Sequence, residues 1–450
     1  MCCGSTIGVV ARSPFRRPRS PMSNSDHPRS DASASVAERP GRRVAVRVTP
    51  AGLRAVRSGD PWLFDGSITS VSPADLPTGS VAIVFDDRRR VAGVGLWDPD
   101  SPIRVKMLHA GPVEVGPELW SQRFTTALAC RQGLVDDPDT TAWRWVHGEN
   151  DGLPGLVVDR YADTLVIKLY TAAWFPHLDQ IVTALGEIAE PERIVLRLSR
   201  RVSAQVSDVN GLGDHTLSDG SVLVGTVPTA PIRFTERGLV MEADVIEGHK
   251  TGHFLDQRDN HALVRSMADG AHVLDVFSST GGFSVAAAAG GARSVHMVDI
   301  SRPALDTARR NLAHNRHIAA VARCEVTDAC GDAFEVLDHL ARQGREFDLV
   351  IIDPPSFAQN EAAVPRALAA YRRLVRAGLA VTAAGGTLVQ ASCSSRVDAD
   401  QLATAVADGA RGSGKRVREI RRTGHPVDHP IGFDRGGYLT AVYAAVAAAV

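Results

Sequence analysis

Beyond about Ile232 the chain alternates short apolar runs with helix-period segments, and few architectures accept that alternation. Strands are expected at 272–277, 294–299, 321–326, 347–352 and 386–391, with helices near 282–289, 302–314, 332–342, 364–382 and 398–409. The runs are β-branched and continuous, as in Phe347-Asp348-Leu349-Val350-Ile351-Ile352, which is how strands covered on both faces read. Such units build a doubly wound parallel sheet. Two later candidates, Arg416 to Arg422 and Gly437 to Ala445, follow a helix-poor connection and are expected as an antiparallel hairpin at its edge. Ligands of open sheets bind beyond the carboxyl ends of the strands, so the residues just after each strand are where chemistry is expected.

Upstream the pattern differs. From Arg43 to about Leu108 the runs are short, β-rich and turn-punctuated, as in Val81-Ala82-Ile83-Val84-Phe85 and Ile103-Arg104-Val105-Lys106-Met107, and a small β-barrel is expected. A helix-period segment near Pro117 to Gln132, strands at Leu156 to Arg160, Thr164 to Tyr170 and Arg193 to Leu198, and a helix near His177 to Ile188 make a small α+β domain. The expected fold class is multidomain α/β, divided at 1–42, 43–115, 116–231 and 232–450. The first segment is rich in Ser, Pro and Arg with little apolar periodicity, and is expected to be disordered. An RNA-touching arm around Arg16-Arg17-Pro18-Arg19, a solvated tail, and an upstream start with Met22 as the next initiator all fit its composition.

Hydrophobic residues make up 44% and charged residues 22%, with a formal net charge of -1. A chain so balanced is not basic as a whole, so any nucleic-acid partner meets a local patch. No run approaches the roughly 18 apolar residues of a membrane span, and no apolar h-region precedes a cleavage-like site. The cysteines at positions 2, 3, 130, 324, 330 and 393 lack the pairing of a zinc site or disulfide framework, which favours a reducing cytoplasm and no metal.

The cofactor pattern lies at three strand ends. Val273-Leu274-Asp275-Val276-Phe277-Ser278-Ser279-Thr280-Gly281-Gly282-Phe283 is a buried strand, a small-residue turn and a helix start. Glycines there admit a ligand close to the backbone, and free helix N–H groups favour an anion. A plain strand-to-helix connection reads the same way. The next strand ends at Met297-Val298-Asp299-Ile300, about twenty residues on, where a carboxylate accepts both hydroxyls of a ribose. A dinucleotide site would want G-x-G-x-x-G; Ser-Ser-Thr-Gly-Gly instead resembles the S-adenosylmethionine site of class I methyltransferases. Cofactor contacts are therefore expected from Asp275, Ser278, Thr280, Gly281, Asp299 and Ile300. Asp332 and Ala333 sit where such enzymes bond the adenine amino group, with Asp328 as runner-up, and Asp332 equally suits a helix N-cap.

Two further loops follow buried strands, Asp353-Pro354-Pro355-Ser356-Phe357 and Ser392-Cys393-Ser394. Paired prolines make a rigid, donor-poor loop. Amino-group methyltransferases hold a planar nitrogen with a similar loop, although here Ser356 intervenes before Phe357. Cys393 lies in a polar loop, as a nucleophile would, whereas Cys324 and Cys330 read as structural. A cytosine carbon is too weak a nucleophile to take a methyl directly, but thiolate addition at C6 makes C5 enamine-like. Asp353 at the N3/N4 edge would stabilise the developing ring charge. Lys250, Arg258, Arg372 and Arg373 are candidates for RNA phosphates, with a solvated surface charge the equal alternative.

With these residues in hand, the chain from about Arg43 onward resembles the RlmI family of large-subunit ribosomal RNA cytosine-C5 methyltransferases. The carrying stretches are Pro61-Trp62-Leu63-Phe64-Asp65-Gly66-Ser67-Ile68, Gly148-Glu149-Asn150-Asp151-Gly152-Leu153-Pro154-Gly155-Leu156 and Gly248-His249-Lys250-Thr251-Gly252-His253-Phe254-Leu255-Asp256-Gln257-Arg258-Asp259-Asn260. To these are added the methyltransferase motifs above and Asp428-His429-Pro430 with Gly437-Tyr438-Leu439. The resemblance implies an N-terminal PUA-like RNA-binding β-barrel, a central α+β domain and a C-terminal class I, Rossmann-like methyltransferase domain. It implies S-adenosylmethionine as cofactor, with Phe254-Leu255-Asp256-Gln257-Arg258 lying over it, and Cys393 as nucleophile; beside these, Asp353 is expected as its base-edge partner, and Lys250, Arg258, Pro354, Pro355 and Phe357 are expected to meet the substrate. The implied partner is 23S ribosomal RNA or a 50S precursor, in the cytoplasm and away from membranes; a homodimer is left open. Departures are Ser279 for a usual aromatic residue, Gly59-Asp60 for a basic pair, and Thr440 for a usual Lys. Ser356 stands where many other RNA cytosine methyltransferases have a second cysteine, so a single-cysteine scheme is implied. Two other readings stay open: methyl transfer to an exocyclic base nitrogen, and a non-catalytic RNA-binding ribosome assembly factor.

Overall fold

The computed structural model describes residues 42–208, 217–358 and 360–447, so the N-terminal stretch expected to be disordered lies outside the described residues. The first sheet has six strands in the order Trp62–Phe64, Ile103–Ala110, Val91–Trp97, Val81–Phe85, Arg43–Val48 and Ile68–Ser72. Alternate side chains point inward along each strand, which buries Val44, Val46, Val84 and Val105 together. The second sheet runs Val222–Val224, Arg193–Leu198, Thr164–Leu169, Leu156–Tyr161 and Ala142–His147. Helices Pro117–Ala129 and Leu178–Ala189 share its core through Trp120, Phe124, Ile181 and Leu185. The edge strand Ala142–His147 was not anticipated. Arg144 interrupts its apolar pattern, and the fold accommodates that charge by pairing it with buried Asp159 across the sheet, at 2.7 and 2.9 Å.

The third sheet has seven strands, in the order Glu325–Cys330, Ser294–Asp299, His272–Val276, Phe347–Ile352, Thr382–Ser392, Thr440–Ala447 and Arg416–Thr423. The first five are parallel and the last two antiparallel, as the alternation and the helix-poor connection led one to expect. One expected strand moves. Residues placed at 321–326 begin in a helix, Ala319–Arg323, and the strand is Glu325–Cys330, with Ser294 facing Glu325. The alanines of Ala319-Ala320-Val321-Ala322 favour the helix, and Val321 still reaches the core from it. Strand order reverses about His272–Val276 and Phe347–Ile352, so their carboxyl ends open a crevice. Among the described residues no helix is long and apolar enough to cross a membrane.

A hairpin, Ile232–Glu236 with Leu239–Ala243, joins the second and third sheets. Thr141 donates its backbone N–H to the Thr235 carbonyl at 2.9 Å, and Asn311 and Asn315 accept from Glu242 and Val240, each at 2.9 Å. Tyr161 and Val166 of the second sheet therefore share one apolar core with Val273 and Val295 of the third.

A single carboxylate locks this joint. Asp428 is fully buried and accepts both terminal N–H groups of Arg258, at 2.6 and 3.0 Å, together with the Arg144 backbone N–H at 2.9 Å. Its carbonyl accepts from Arg131 at 3.0 Å. Burial opposes its charge, but His429 and Arg258 outweigh that and hold the carboxyl well below the usual range. Arg258, expected at RNA phosphates, is thereby corrected: it is 1% exposed and committed to Asp428. Replacing Arg258 by Met strips a buried carboxylate of its bidentate cation, so Arg258→Met should destabilise by about 3–5 kcal/mol. A urea unfolding midpoint equal to that of the wild type would show that the pair contributes nothing.

Candidate active site

The turn after His272–Val276 bends sharply, with φ of +65° at Phe277, +48° at Ser279 and +81° at Gly281. Gly281 serves both conformation and space, since a Cβ there would lie 2.7 Å from the Ala308 Cβ. At Gly282 a Cβ would meet His261 at 2.3 Å. Asp299 fixes the bend. Its Oδ2 accepts the Ser279 N–H at 2.9 Å and its Oδ1 the Ser301 N–H at 2.8 Å, which leaves each oxygen a lone pair for a diol. Ser278 Oγ is buried without a partner among the described residues, a polar atom that a ligand group would satisfy.

A cavity of about 1350 Å³ runs along this turn and across the crevice. Of the expected cofactor residues, Phe254, Gln257, Ser278, Thr280, Asp299 and Ile300 line it. Asp275 lies behind the wall, fully buried, accepting the Ser284 hydroxyl at 2.6 Å, and burial pushes its carboxyl up to about 6. Gly281 and buried Ala333 also lie behind it. Asp332 caps the helix Ala333–Arg342 through Oδ1, accepting from Phe334 at 2.9 Å and Glu335 at 3.2 Å, outside the lining. Its Oδ2 makes no hydrogen bond among the described residues.

Of the expected substrate residues, Lys250, Asp353, Pro354, Pro355 and Cys393 line the same cavity. Phe357 does not; its ring packs on Tyr371, 5.3 Å between centroids. Arg372 and Arg373 lie elsewhere, the first 3.9 Å from Asp408 and the second over the Phe334 ring. The two loops are tied to each other. Cys393 Sγ lies 3.6 Å from the Pro354 carbonyl, and Ser394 Oγ donates to the Ala358 carbonyl at 3.4 Å. Below them Tyr371 and Ser392 share a buried hydrogen bond of 2.8 Å.

Two carboxylates in this pocket are driven apart by their surroundings. Asp256 accepts from Lys250 at 3.2 Å and from the Tyr438 hydroxyl at 2.8 Å. Burial opposes its charge, but Lys250 leads the groups that outweigh it, so Asp256 lies well below the usual carboxylate range. Asp353 accepts from Gln257 Nε2 at 2.8 Å, and Gln257 is itself held by Asn260 at 2.6 Å. Burial and then the neighbouring Asp256 charge push the Asp353 carboxyl up to about 7. Burial, with the Asp353 charge behind it, pushes the Cys393 thiol up to about 12.

The sequence reading placed Asp256 only within the stretch over the cofactor, and assigned no role to Tyr438 or Asn260, nor to a buried group formed by Glu236, His253 and His261. Glu236 Oε1 lies 2.7 Å from His261 Nδ1, and His253 Nδ1 lies 3.3 Å from Thr280 Oγ1, which fastens the hairpin to the turn. Burial opposes the Glu236 charge, yet His261 and His253 hold its carboxyl far below the usual range. The three offer donor atoms within 4.8 Å of one another, a set geometrically able to hold a metal ion where none was expected. They come from separate segments, so no spacing announces them.

A family model for S-adenosylmethionine-dependent methyltransferases matches residues 218–430, and one for PUA-like domains matches residues 46–110. A protein of Deinococcus radiodurans named ribosomal RNA large subunit methyltransferase is 42% identical over 406 residues, covering 89% of this chain and 97% of its own. The ribosomal RNA large subunit methyltransferase I of Alteromonas mediterranea is 35% identical over 397 residues, covering 88% and 96%. The chain belongs to the RlmI family of methyltransferases. In fold, this RlmI-family chain matches a Streptococcus mutans structure described as a SAM-dependent methyltransferase, with a TM-score of 0.73 at 20% identity over 89% of this chain and 99% of the other. A methyltransferase structure complexed with SAH gives the same TM-score at 21% identity, over 90% and 100%. The expected PUA-like barrel and class I methyltransferase domain are borne out. The cofactor is S-adenosylmethionine, and the diol-facing Asp299 and the unpartnered Ser278 hydroxyl fit it.

Asp299→Ala removes two anchors of the turn, each worth about 0.5–1.5 kcal/mol. Calorimetry should show S-adenosylmethionine binding weakened about tenfold or more. Unchanged affinity would remove Asp299 from the cofactor site.

Proposed function

We propose that this chain methylates C5 of a cytosine in large-subunit (23S) ribosomal RNA, in the cytoplasm, through a covalent bond between Cys393 and C6. One observation carries the reading: Cys393 and Asp353 line the same cavity as the turn held by Asp299. The RNA class follows the names of the relatives. The same reading keeps an RNA-binding barrel at 43–115, a middle domain at 116–231 and the methyltransferase domain at 232–450.

When bound, S-adenosylmethionine supplies an electrophilic methyl group. The chain's own residues prepare the base to take it. Asp353, its carboxyl pushed up to about 7 by burial and then by charged Asp256, takes the Cys393 thiol proton and passes it to N3 of the ring. The Cys393 thiolate adds to C6, the C5=C6 electron pair moves toward C4, and N3 takes the proton. C5 is then nucleophilic and accepts the methyl. Loss of the C5 proton to a base re-forms C5=C6 as the sulfur departs, and N3 gives its proton back through Asp353, which restores the pair with its one shared proton. Ile300 borders the adenine side, Asp332 Oδ2 and Ala333 would have to meet the adenine from outside the present lining, and Lys250 places its ammonium against the substrate.

Cys393→Ser should lower turnover on RNA by on the order of 10³-fold or more, measured as labelled methyl transfer with nucleoside mass spectrometry. Near-normal turnover would move the methyl to an exocyclic nitrogen.

The pH profile tests Asp353. The productive pair holds one proton between Asp353 and Cys393, so below about 7 a second proton must leave first. The rate constant kcat/KM should rise about tenfold per pH unit up to that point and then level, because the thiol itself titrates only near about 12. In Asp353→Asn the first ionisation is gone, and the residual rate should keep climbing through about pH 9. A wild-type profile with no break near neutrality would show that the two groups do not share a proton.

A further inference from the structure

We infer that the outer half of the cavity is a subsite for unpaired nucleotides flanking the target base, so the substrate is single-stranded RNA around that base. The inference rests on the RNA reading above and specifies the form of RNA the site takes.

The cavity, at about 1350 Å³, is lined by more than the residues given to the cofactor and the target base. The remaining wall is aromatic and comes from three parts of the chain: Trp62 of the barrel, Tyr170 just after the strand Thr164–Leu169, and Phe433 with Arg435 of the closing segment. This wall is built rather than incidental. Trp62 Nε1 donates to Glu149 at 2.9 Å, its ring meets Phe433 edge-on at 5.2 Å, and the Arg435 guanidinium lies 4.7 Å from the ring centre. Asp60 accepts from Arg435 at 2.6 Å and from the Trp62 N–H at 3.0 Å. Gly432 donates its N–H to Asn150 at 2.7 Å, which pins the loop that carries Phe433.

Tyr170 is the open platform. It is 52% exposed, its backbone N–H is fixed to the Gly155 carbonyl at 2.8 Å, and Lys168 Nζ lies 5.9 Å from its ring centre. A half-exposed ring on an anchored backbone in a cavity wall adds little to the fold, but it offers a face to any base, as sites for unpaired strands do. Lys250, which lines the same cavity, supplies charge for an adjoining phosphate. Cys393 lies inside the crevice, so the target base must leave any helical stack to reach it, and that costs least where its neighbours are already unpaired.

The test uses the full chain and two RNA oligonucleotides with the same target cytosine, one with free flanks and one with its flanks locked in duplex. Wild type should methylate the free form and work poorly on the locked one. Tyr170→Ala should raise KM for the free form by roughly 5- to 150-fold, the range for one lost stacked base, with kcat little changed. Tyr170→Phe should restore it, and S-adenosylmethionine affinity by calorimetry should be equal in all three proteins. Equal KM for Tyr170→Ala and wild type, or equal use of the locked RNA, overturns the subsite while leaving the C5 reading intact. Absence of cytosine methylation by wild type on either RNA overturns the C5 reading and the subsite together.

Discussion

The buried carboxylate of Asp428 is the point on which the arrangement of this molecule depends. Removing a carboxylate from water is costly unless its oxygens are paired and hydrogen-bonded, and Asp428 achieves this only by drawing Arg258, Arg144 and His429 around it. Those partners belong to the helix leading into the methyltransferase sheet, the edge of the middle sheet and the closing segment itself. The carboxylate therefore acts as a register pin among three parts that an apolar core alone would allow to slide. The same closing segment then carries Tyr438 to Asp256. Placement of the fold and charge of the pocket are linked through one stretch of chain.

That link matters because the pocket works by keeping like groups unlike. Asp256 is held ionised by Lys250 while its charge helps to keep a proton on Asp353. Neither state is a property of a carboxylate alone; each is set by the other's surroundings. The resting thiol of Cys393 follows from the same field. Buried next to negative charge, it stays a thiol, which is poorly nucleophilic but also slow to oxidise. On the proposed chemistry, reactivity appears only when the thiol proton passes to Asp353 and on to an arriving ring nitrogen.

Much of this was legible in the sequence, and the reason is geometric. Strands buried on both faces must be continuously apolar, so 272–276, 294–299 and 347–352 announce themselves, and the residue after each is necessarily at the crevice. Asp299, Asp353 and Cys393 were readable for that reason. What was not legible involves side chains that break the rule relating polarity to exposure. Arg144 hid a strand and Arg258 looked like a surface cation, because a buried ion pair is visible only when both partners are known. Glu236, His253 and His261 were invisible for the same reason, being distant in sequence and adjacent in space. The third strand failed differently: helix propensity in Ala319–Arg323 overrode an apolar run that suited a strand equally well.

The barrel's place follows from the same reasoning about walls. If it served only as a separate handle on RNA, its Trp62 would have no reason to be pinned by Glu149, Phe433 and Arg435 at the edge of the cavity. Asp60 stands where a basic residue is usual in the family, and it holds Arg435 and the Trp62 backbone instead of meeting a phosphate. A carboxylate there repels RNA unless its charge is already matched, which Arg435 does. The departure fits a barrel that completes the wall of the reaction chamber and leaves phosphate contacts to cations elsewhere on the rim.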